Sequence, residues 1–183
     1  VKELIALSQK KEIPYSGSSG IGSGVHIGMS QLAKEAGLKL KYVPYKGSAP
    51  SLLAVMAGEI DLAATSAMSA TSAIKTGKVR GVLNLGTKRV PALPDLPTLK
   101  EQGYKTVVAN EYVLWAPAKT PKPIVAALNK VVSDGLNSEE YTKRLQAVGA
   151  DSAEWMSPED LAKDIARQYA EIEAQVKELG LKF

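Results

Sequence analysis

Cysteine is absent from the sequence, and His26 is the only histidine. Without cysteine the chain forms no disulfide, offers no thiolate nucleophile and lacks the sulfur ligands of zinc sites. One histidine with no nearby cluster of Asp and Glu does not supply the ligands of a usual zinc or calcium site. A hydrolytic triad would have to use His26 as its base, and no GxSxG motif accompanies it. We therefore expect no metal site, no cofactor and no catalytic residue, and we expect His26 to cap or to pack.

Aromatic residues are few, with two Trp, seven Tyr and one Phe, and charge of neither sign is concentrated in runs. The formal net charge is +4, from 23 Lys and Arg against 19 Asp and Glu. Nucleic acids are bound by concentrated basic surfaces, often with aromatic platforms for the bases. The composition therefore predicts no nucleic-acid partner. No apolar run reaches the roughly 20 residues of a membrane-spanning helix, and residues 1–11 predict an amphipathic helix instead of a signal peptide.

The first half of the chain alternates short strand-like runs with helical segments. Strands are predicted at residues 13–16, 40–43, 60–64 and 79–85, and the helices between them stop at Gly37, Gly58 and Gly77. Strands that alternate with helices in this way are typical of βαβ units, whose strands run parallel. The sequence therefore predicts an α/β fold in which helices flank a parallel or mixed sheet.

The chain changes character after residue 85. Three prolines between residues 91 and 97 mark a connecting loop ahead of a short predicted helix at 98–102. Strand-like runs follow at 107–109 and 113–116, and the second is expected to run from one lobe to another. Trp115 and Trp155 are expected to pack.

The remainder of the sequence predicts helices. Thr120, followed by Pro121, is a suitable N-cap for the first, a shorter helix follows at 139–147, and Ser157 opens the last in the manner of a capping box. The last helix carries an apolar stripe that needs a partner surface, formed by Leu161, Ile165, Tyr169, Ile172, Val176 and Leu179.

Each of the first three predicted strands leads into its helix through a loop of small and hydroxyl residues. The carboxyl ends of parallel strands meet at one edge of a sheet, so three helix N-termini would converge on one crevice. Helix N-termini favour anions, because their N–H groups are unpaired and their dipole end is positive. The candidate hydroxyl donors are Ser18, Ser19, Ser48, Thr65 and Ser66, and Gly17, Gly20, Gly22 and Gly47 allow close approach to the backbone. Lys46 is the one formal cation in these loops.

Two other interpretations of the loops compete with an anion site. The plainer one is that the glycines and serines only make tight turns and cap helices. The other is a short-chain dehydrogenase, because residues 17–22 resemble a dinucleotide loop and residues 42–46 spell YxxxK. The glycine spacing is one residue too short for that family, Pro44 makes residues 42–46 a poor helix, and no acidic residue ends the second strand. We therefore favour a polar binding crevice.

Several segments along the chain match one known family in order. They are YSGSSGIGS at residues 15–23, VPYKGSAP at 43–50, AGEID at 57–61, GKVR at 77–80, LPDLPT at 93–98 and WAPAKTP at 115–121. With these segments the sequence resembles the tripartite tricarboxylate transporter substrate-binding family, also called the Bordetella uptake gene family. The resemblance covers nearly the whole chain.

The resemblance implies a two-lobed periplasmic binding protein of type II that closes around a carboxylate and presents it to a membrane permease. It places the ligand against the loop from Ser18 to Ser23, the loop from Lys46 to Ser48 and the turn from Thr65 to Ala67, and it implies a periplasmic or other extracytoplasmic location. By the same resemblance, residues 1–12 form a lead-in helix, residues 13–110 the ligand-binding lobe, and residues 111–183 a crossover strand with helices that return to the other lobe.

Members of this family carry a signal and further residues ahead of the position that matches Val1. We therefore expect the final helix to lack its usual partner, and we expect the chain to associate with itself or to bury the apolar stripe in another way. A ligand-sensing module that passes its signal to a partner protein is the alternative function that the sequence leaves open.

Overall fold

A parallel three-stranded sheet organises the first half of the computed structural model, which describes residues 1–106, 108, 113–147 and 155–181. β1 (Ile13–Gly17) lies in the centre, between β2 (Leu40–Tyr42) and β3 (Leu62–Ala64). Both neighbours run parallel to β1, and the register sets Tyr15 opposite Tyr42 on one side and opposite Leu62 on the other. The predicted α/β fold with parallel strands is confirmed.

Seven α-helices lie within the described residues, together with a short 3₁₀ helix at Lys100–Gln102. Four of them lie in the same half of the chain as the strands, and the other three lie in the C-terminal part. None of those in the described ranges is both long and apolar enough to cross a membrane. They are α1 (Lys2–Lys10), α2 (Gly24–Ala36), α3 (Ser48–Met56), α4 (Ala67–Lys75), α5 (Lys122–Leu136), α6 (Glu139–Ala147) and α7 (Pro158–Leu179).

The predicted start and stop signals act at several helix ends. Gly37 ends α2 in the left-handed conformation, with φ of 67°, and its N–H donates to the Ala33 carbonyl. Left-handed backbone suits glycine because it has no Cβ to clash. At the start of α7, the Ser157 hydroxyl accepts a hydrogen bond of 3.1 Å from the Asp160 N–H, as the capping signal predicts.

The predicted fourth strand at residues 79–85 is wrong. Only Asn84 of this segment pairs, in an isolated parallel bridge with Thr98. The Asn84 N–H donates to the Pro97 carbonyl at 2.8 Å, and the Leu99 N–H donates to the Asn84 carbonyl at 3.0 Å. Proline has no N–H, so a partner segment that contains Pro97 cannot continue a ladder. The segment therefore stays extended with a single bridge.

Three boundaries after residue 85 also differ from prediction. The run at 113–116 forms no strand. The run at 107–109 lies outside the described residues except for Val108. The Val108 N–H donates to the Leu85 carbonyl at 3.1 Å. The predicted helix at 98–102 is only a 3₁₀ turn. Thr120 is not the N-cap of α5, because α5 begins at Lys122 after Pro121, and the Thr120 N–H instead donates to the Pro117 carbonyl.

The expectation that both tryptophans pack is wrong as well. Trp115 is 77 % exposed and Trp155 is 45 % exposed. No residue in the described ranges 113–147 and 155–181 is buried, so this part of the chain provides no core for an indole ring to enter. Two residues of the apolar stripe of α7, Tyr169 and Ile172, are exposed as well, and its other four residues are half-buried.

The hydrophobic core lies between the sheet and α2. Its buried members come from β1, α2, β3 and the segments that follow α2 and precede the 3₁₀ helix: Tyr15, Val25, Met29, Leu32, Leu38, Ala64 and Leu99. Leu4 and Ile5 of α1 pack against this cluster from outside. Burial of this apolar surface fixes α2 on the sheet and so fixes the loop that precedes it.

α2 also anchors two later segments of the chain. Glu35 accepts hydrogen bonds from the backbone N–H groups of Lys105 at 2.7 Å and Thr106 at 3.0 Å, and these bonds lower the pKa of the Glu35 carboxyl. Lys34 pairs with Glu178 of α7 at 2.8 Å. Gly28 faces Val108 so closely that a Cβ at Gly28 would overlap the Val108 side chain.

We predict that Gly28→Ala destabilises the fold by about 1–2 kcal/mol, because the clash with Val108 outweighs the gain of up to about 1 kcal/mol in helix propensity. Gly135→Ala is the matched control, since Gly135 lies within α5 and a Cβ there meets nothing within 4 Å. Urea unfolding should show a loss for Gly28→Ala and no loss for Gly135→Ala. Equal effects would contradict the close packing, whereas the double variant Gly28→Ala/Val108→Ala should recover part of the loss.

Candidate functional site

Three loops meet at the carboxyl edge of the sheet, as the sequence predicts. Residues 18–23 join β1 to α2, residues 43–47 join β2 to α3, and residues 65–66 join β3 to α4. The Ser18 N–H donates to the Ala64 carbonyl at 3.1 Å, which ties the first loop to the end of β3. The buried hydroxyls of Ser16 and Ser51 lie 2.9 Å apart and tie β1 to α3. The sheet thus brings the three predicted segments side by side.

The first loop is closed by its own hydrogen bonds. The Ser23 hydroxyl donates to the Gly20 carbonyl at 2.7 Å and accepts from the His26 N–H at 3.3 Å, so Ser23 acts here as the N-cap of α2. Ser18 and Ser19 lie further out, with their hydroxyls 3.3 Å apart. Gly20 and Gly22 both have positive φ, which a larger residue would adopt only with strain. The Ser18 and Ser19 hydroxyls therefore stand outside the hydrogen bonds that close the loop.

The second loop leaves a helix N-terminus without a side-chain cap. Gly47 is the N-cap of α3, with φ of 106° and no side chain that accepts from the first turn. The next two residues, Ser48 and Ala49, carry N–H groups, and Pro50 carries none. Lys46 is exposed beside them. Uncapped N–H groups, a positive dipole end and a lysine together favour a negatively charged ligand at this point.

The helix that follows the third loop is capped like the helix that follows the first. The Ser66 hydroxyl accepts from the Ser69 N–H at 3.3 Å and lies 2.8 Å from the Ser69 hydroxyl. The Thr65 hydroxyl donates to the Ser66 carbonyl at 3.3 Å. Ala67 is the first residue of α4 and is half-buried. These hydroxyls have local partners, so of the three helix N-termini that of α3 is the least satisfied by side chains.

His26 lies in the first turn of α2, where its ring helps to shape the first loop. Its Nδ1 accepts a hydrogen bond of 3.2 Å from the Gly22 N–H, and its ring packs against Tyr42 with 4.7 Å between centroids. Burial lowers the pKa of His26. An Nδ1 that accepts a hydrogen bond must be unprotonated. The expected capping and packing role of this residue agrees with these contacts.

Tyr42 is a neighbour of the site that the sequence drew attention to only as part of YxxxK. It is the last residue of β2, and its ring packs edge-on against Tyr15 with 5.3 Å between centroids. Burial raises the pKa of the Tyr42 phenol. Residues 42–46 form no helix, which removes the helical context that a dehydrogenase would need. The sequence signal that could have identified Tyr42 is its position at the end of a strand that leads into a candidate loop.

Other features of the structure lie away from the three loops. A groove of about 1000 Å³ runs between α2 and α7, and a pocket of about 320 Å³ is lined by residues that include Gly86, Leu99 and Tyr104. Asp61 pairs with Lys11 at 2.7 Å. In the part of the chain that the structure describes, no three His, Asp or Glu residues are grouped closely enough to hold a metal ion.

Residues 1–181 match the family model for the tripartite tricarboxylate transporter family receptor, TctC. The chain belongs to this family. Among curated relatives, a UPF0065 protein from the clcB-clcD intergenic region of Pseudomonas knackmussii is 32% identical over 134 residues, which are 72% of this chain and 79% of that protein. A UPF0065 protein of Bordetella pertussis is 30% identical over 168 residues, which are 91% of this chain and 51% of the relative.

Solved structures of the family share the fold. A protein from R. palustris, solved with adipate, matches with a TM-score of 0.86 and 29% identity over 98% of this chain and 60% of that one. The periplasmic binding protein BugD matches with a TM-score of 0.81 and 30% identity over 100% of this chain and 62% of its own. MatC from Rhodopseudomonas palustris, solved with malate, matches with a TM-score of 0.68 and 25% identity over 98% of this chain and 60% of MatC. The periplasmic-binding-protein fold is therefore confirmed, and the chain spans about 60% of each of these structures.

We predict that His26 titrates below the pKa of about 6.5 that an unperturbed histidine shows. Because the unfolded chain would then take up a proton at higher pH than the folded one, stability should fall as pH drops below 6.5 toward the folded pKa. His26 is the only histidine, so its Hε1 signal in a proton NMR titration is unambiguous. The urea-unfolded chain is the control. A folded midpoint at or above that of the unfolded chain would contradict the buried, hydrogen-bonded ring.

Proposed function

We propose that this chain forms the ligand-binding part of an extracytoplasmic solute-binding protein, which captures a small carboxylate for a membrane transporter of the tripartite tricarboxylate type. The observation that carries the proposal is the N-terminus of α3, which lacks a side-chain cap and starts from the same sheet edge as the capped N-termini of α2 and α4. Carboxylate oxygens accept hydrogen bonds from such N–H groups and gain from the positive dipole ends.

The proposed contacts distinguish direct ligand groups from supporting ones. Ser18, Ser19, Gly20 and Gly22 of the first loop, together with Lys46, Gly47 and Ser48 of the second, would meet the ligand through hydroxyl, ammonium and backbone donors. Ser23, Thr65, Ser66 and Ala67 would hold the adjoining helix ends in place, because the hydroxyls among them already have partners within their own loops. Such a site attracts an anion mainly through fixed dipoles, with a single lysine as the only formal cation in the loops.

The relatives support this ligand class. Adipate and malate, which two of the solved relatives hold, are both dicarboxylates. By analogy, the ligand of this chain is a small carboxylate, the partners are the permease subunits of the transporter, and the location is the periplasm. Capture requires no chemical step, so we propose no enzymatic activity. Residues 13–110 would form the ligand-binding lobe, the second lobe of the family, after a lead-in helix at 1–12, and residues 111–183 would return to the first lobe.

A binding screen with adipate, malate, tartrate, citrate, glutamate, benzoate and terephthalate tests the proposal. We expect thermal stabilisation by one class of carboxylate, since a ligand at 100 times its dissociation constant adds about 2.7 kcal/mol to the free energy of unfolding. The nicotinamide cofactors serve as the control for a dehydrogenase and should give no shift. No response to any of the acids at millimolar concentration, in thermal shift or calorimetry, would contradict the proposal.

Lys46→Met should weaken the binding of the responding carboxylate about two- to fivefold, because an exposed charge contributes a few tenths to 1 kcal/mol. Lys78→Met is the matched control. It removes the same charge from an exposed lysine beyond the C-terminal end of α4, at the opposite edge of the sheet. Calorimetric titration should detect a change for Lys46→Met alone. Equal weakening by both variants would mean that the lysines act only through net charge.

The apolar stripe of α7 supports the proposal that this chain associates with itself. Tyr169 is 72 % exposed and Ile172 is 40 % exposed on that stripe. We predict that light scattering after size exclusion shows dimers or larger species at micromolar concentration, and that Ile172→Lys shifts the chain toward monomer. Ala170→Lys, on the opposite face of α7, should leave the mass unchanged. A monomeric wild-type chain would contradict the prediction.

A further inference from the structure

The hydroxyl of Tyr42 is buried and donates no hydrogen bond to any of the described residues. Buried side-chain hydroxyls almost always have a partner, because a proton donor removed from water is costly to leave unpaired. The aromatic ring does not explain the hydroxyl. It packs against Tyr15 and His26 through its carbon atoms, and phenylalanine would make the same contacts. The packing of the ring therefore gives no reason for the hydroxyl to be there.

What the hydroxyl lacks is an acceptor. The backbone N–H of Gly17 lies near the Tyr42 hydroxyl and partly offsets the rise in pKa that burial causes. An N–H group can only donate, so it cannot accept a hydrogen bond from the hydroxyl. The phenol keeps its proton because burial raises the pKa. Tyr45, the next tyrosine along the chain, differs in this respect, because its hydroxyl donates to Glu59 at 3.0 Å. A group that accepts hydrogen bonds would complete the environment of Tyr42.

The position of Tyr42 places this donor under the proposed ligand edge. It ends β2, and its ring lies against His26 in the first turn of α2. Gly17, the last residue of β1, lies beside the ring, because a Cβ at Gly17 would be in van der Waals contact with the Tyr42 Cε2 at 3.6 Å. The loop 18–23 touches the same ring pair, because its Gly22 N–H donates to the His26 ring that packs against Tyr42. This loop is closed in part by a long hydrogen bond of 3.4 Å between the Ser23 N–H and the Gly20 carbonyl.

We propose that the Tyr42 hydroxyl donates a hydrogen bond to a carboxylate oxygen of the bound ligand when the loop 18–23 shifts to admit it. This inference rests on the proposed function and adds a residue that determines specificity. A hydroxyl fixed by ring packing favours ligands with an acceptor at that depth, and a charged acceptor gains more than a neutral one. Tyr42 would thereby select for an acid group over an amide or an ester at the same position.

Calorimetry with adipate and its monomethyl ester on the wild-type chain and on Tyr42→Phe tests this inference. We expect Tyr42→Phe to bind adipate roughly ten- to a hundredfold more weakly, as for a lost hydrogen bond to a charged group, and to discriminate less between acid and ester. Tyr141→Phe is the control, since Tyr141 lies in α6, outside the three loops, and this variant should bind adipate as the wild type does.

The melting temperature without ligand provides a second measurement. Tyr42→Phe should melt at the wild-type temperature or above, because the deleted hydroxyl donates to no group among the described residues. A marked drop would show an internal hydrogen bond and would overturn the inference. Unchanged adipate affinity in Tyr42→Phe, with wild-type binding intact, would overturn the inference alone. Failure of the wild-type chain to bind adipate would remove adipate as the ligand and this inference with it, and the wider carboxylate screen would then decide the proposed function separately.

Discussion

The parallel pairing of β1 with both of its neighbours is the constraint on which the rest of the structure depends. Because β2 and β3 run in the same direction as β1, each strand must be followed by a helix that returns across the sheet. Three strand ends then lie side by side, and three helices start from the same edge. Burial of Tyr15, Val25, Met29 and Leu32 between the sheet and α2 holds this arrangement in place.

The chemistry of the edge follows from how each helix start is satisfied. Ser23 and Ser66 cap α2 and α4 with their own hydroxyls, whereas Gly47 gives α3 no cap. The two serine caps stabilise the loops without a ligand. The glycine position leaves backbone donors available, and its positive φ excludes most other residues. If the proposed site is correct, a receptor that must release its ligand to a transporter would benefit from this balance, because most of the site would be formed before binding and few charges would hold the ligand.

Local signals predicted the fold well where one residue decides the outcome. Gly37 ends α2, Ser157 caps α7, and the strands around Tyr15 and Ala64 run parallel, all as the sequence indicates. Prediction failed where the outcome depends on a distant partner. Residues 79–85 have the pattern of a strand, yet the segment beside them contains Pro97 and cannot complete a ladder. The exposure of Trp115 was equally invisible in the sequence, because it depends on which surface covers the C-terminal part.

In the candidate site, too, local features could be predicted and contacts between distant residues could not. The glycines and serines of the three loops were identifiable from their spacing, because turns and caps are local features. The buried hydroxyl of Tyr42 was not, since its surroundings depend on contacts with His26 and Gly17 that only the folded chain makes.

The central claim is that a carboxylate binds at the carboxyl edge of this sheet. Amide NMR shifts recorded during titration with a dicarboxylate test it most directly. We expect saturable shifts in the N–H signals of residues 18–23 and 46–49. Those of Ser48 and Ala49 should be among the largest, because these residues lie at the uncapped start of α3. Saturable shifts confined to the groove between α2 and α7, with none in these loops, would contradict it.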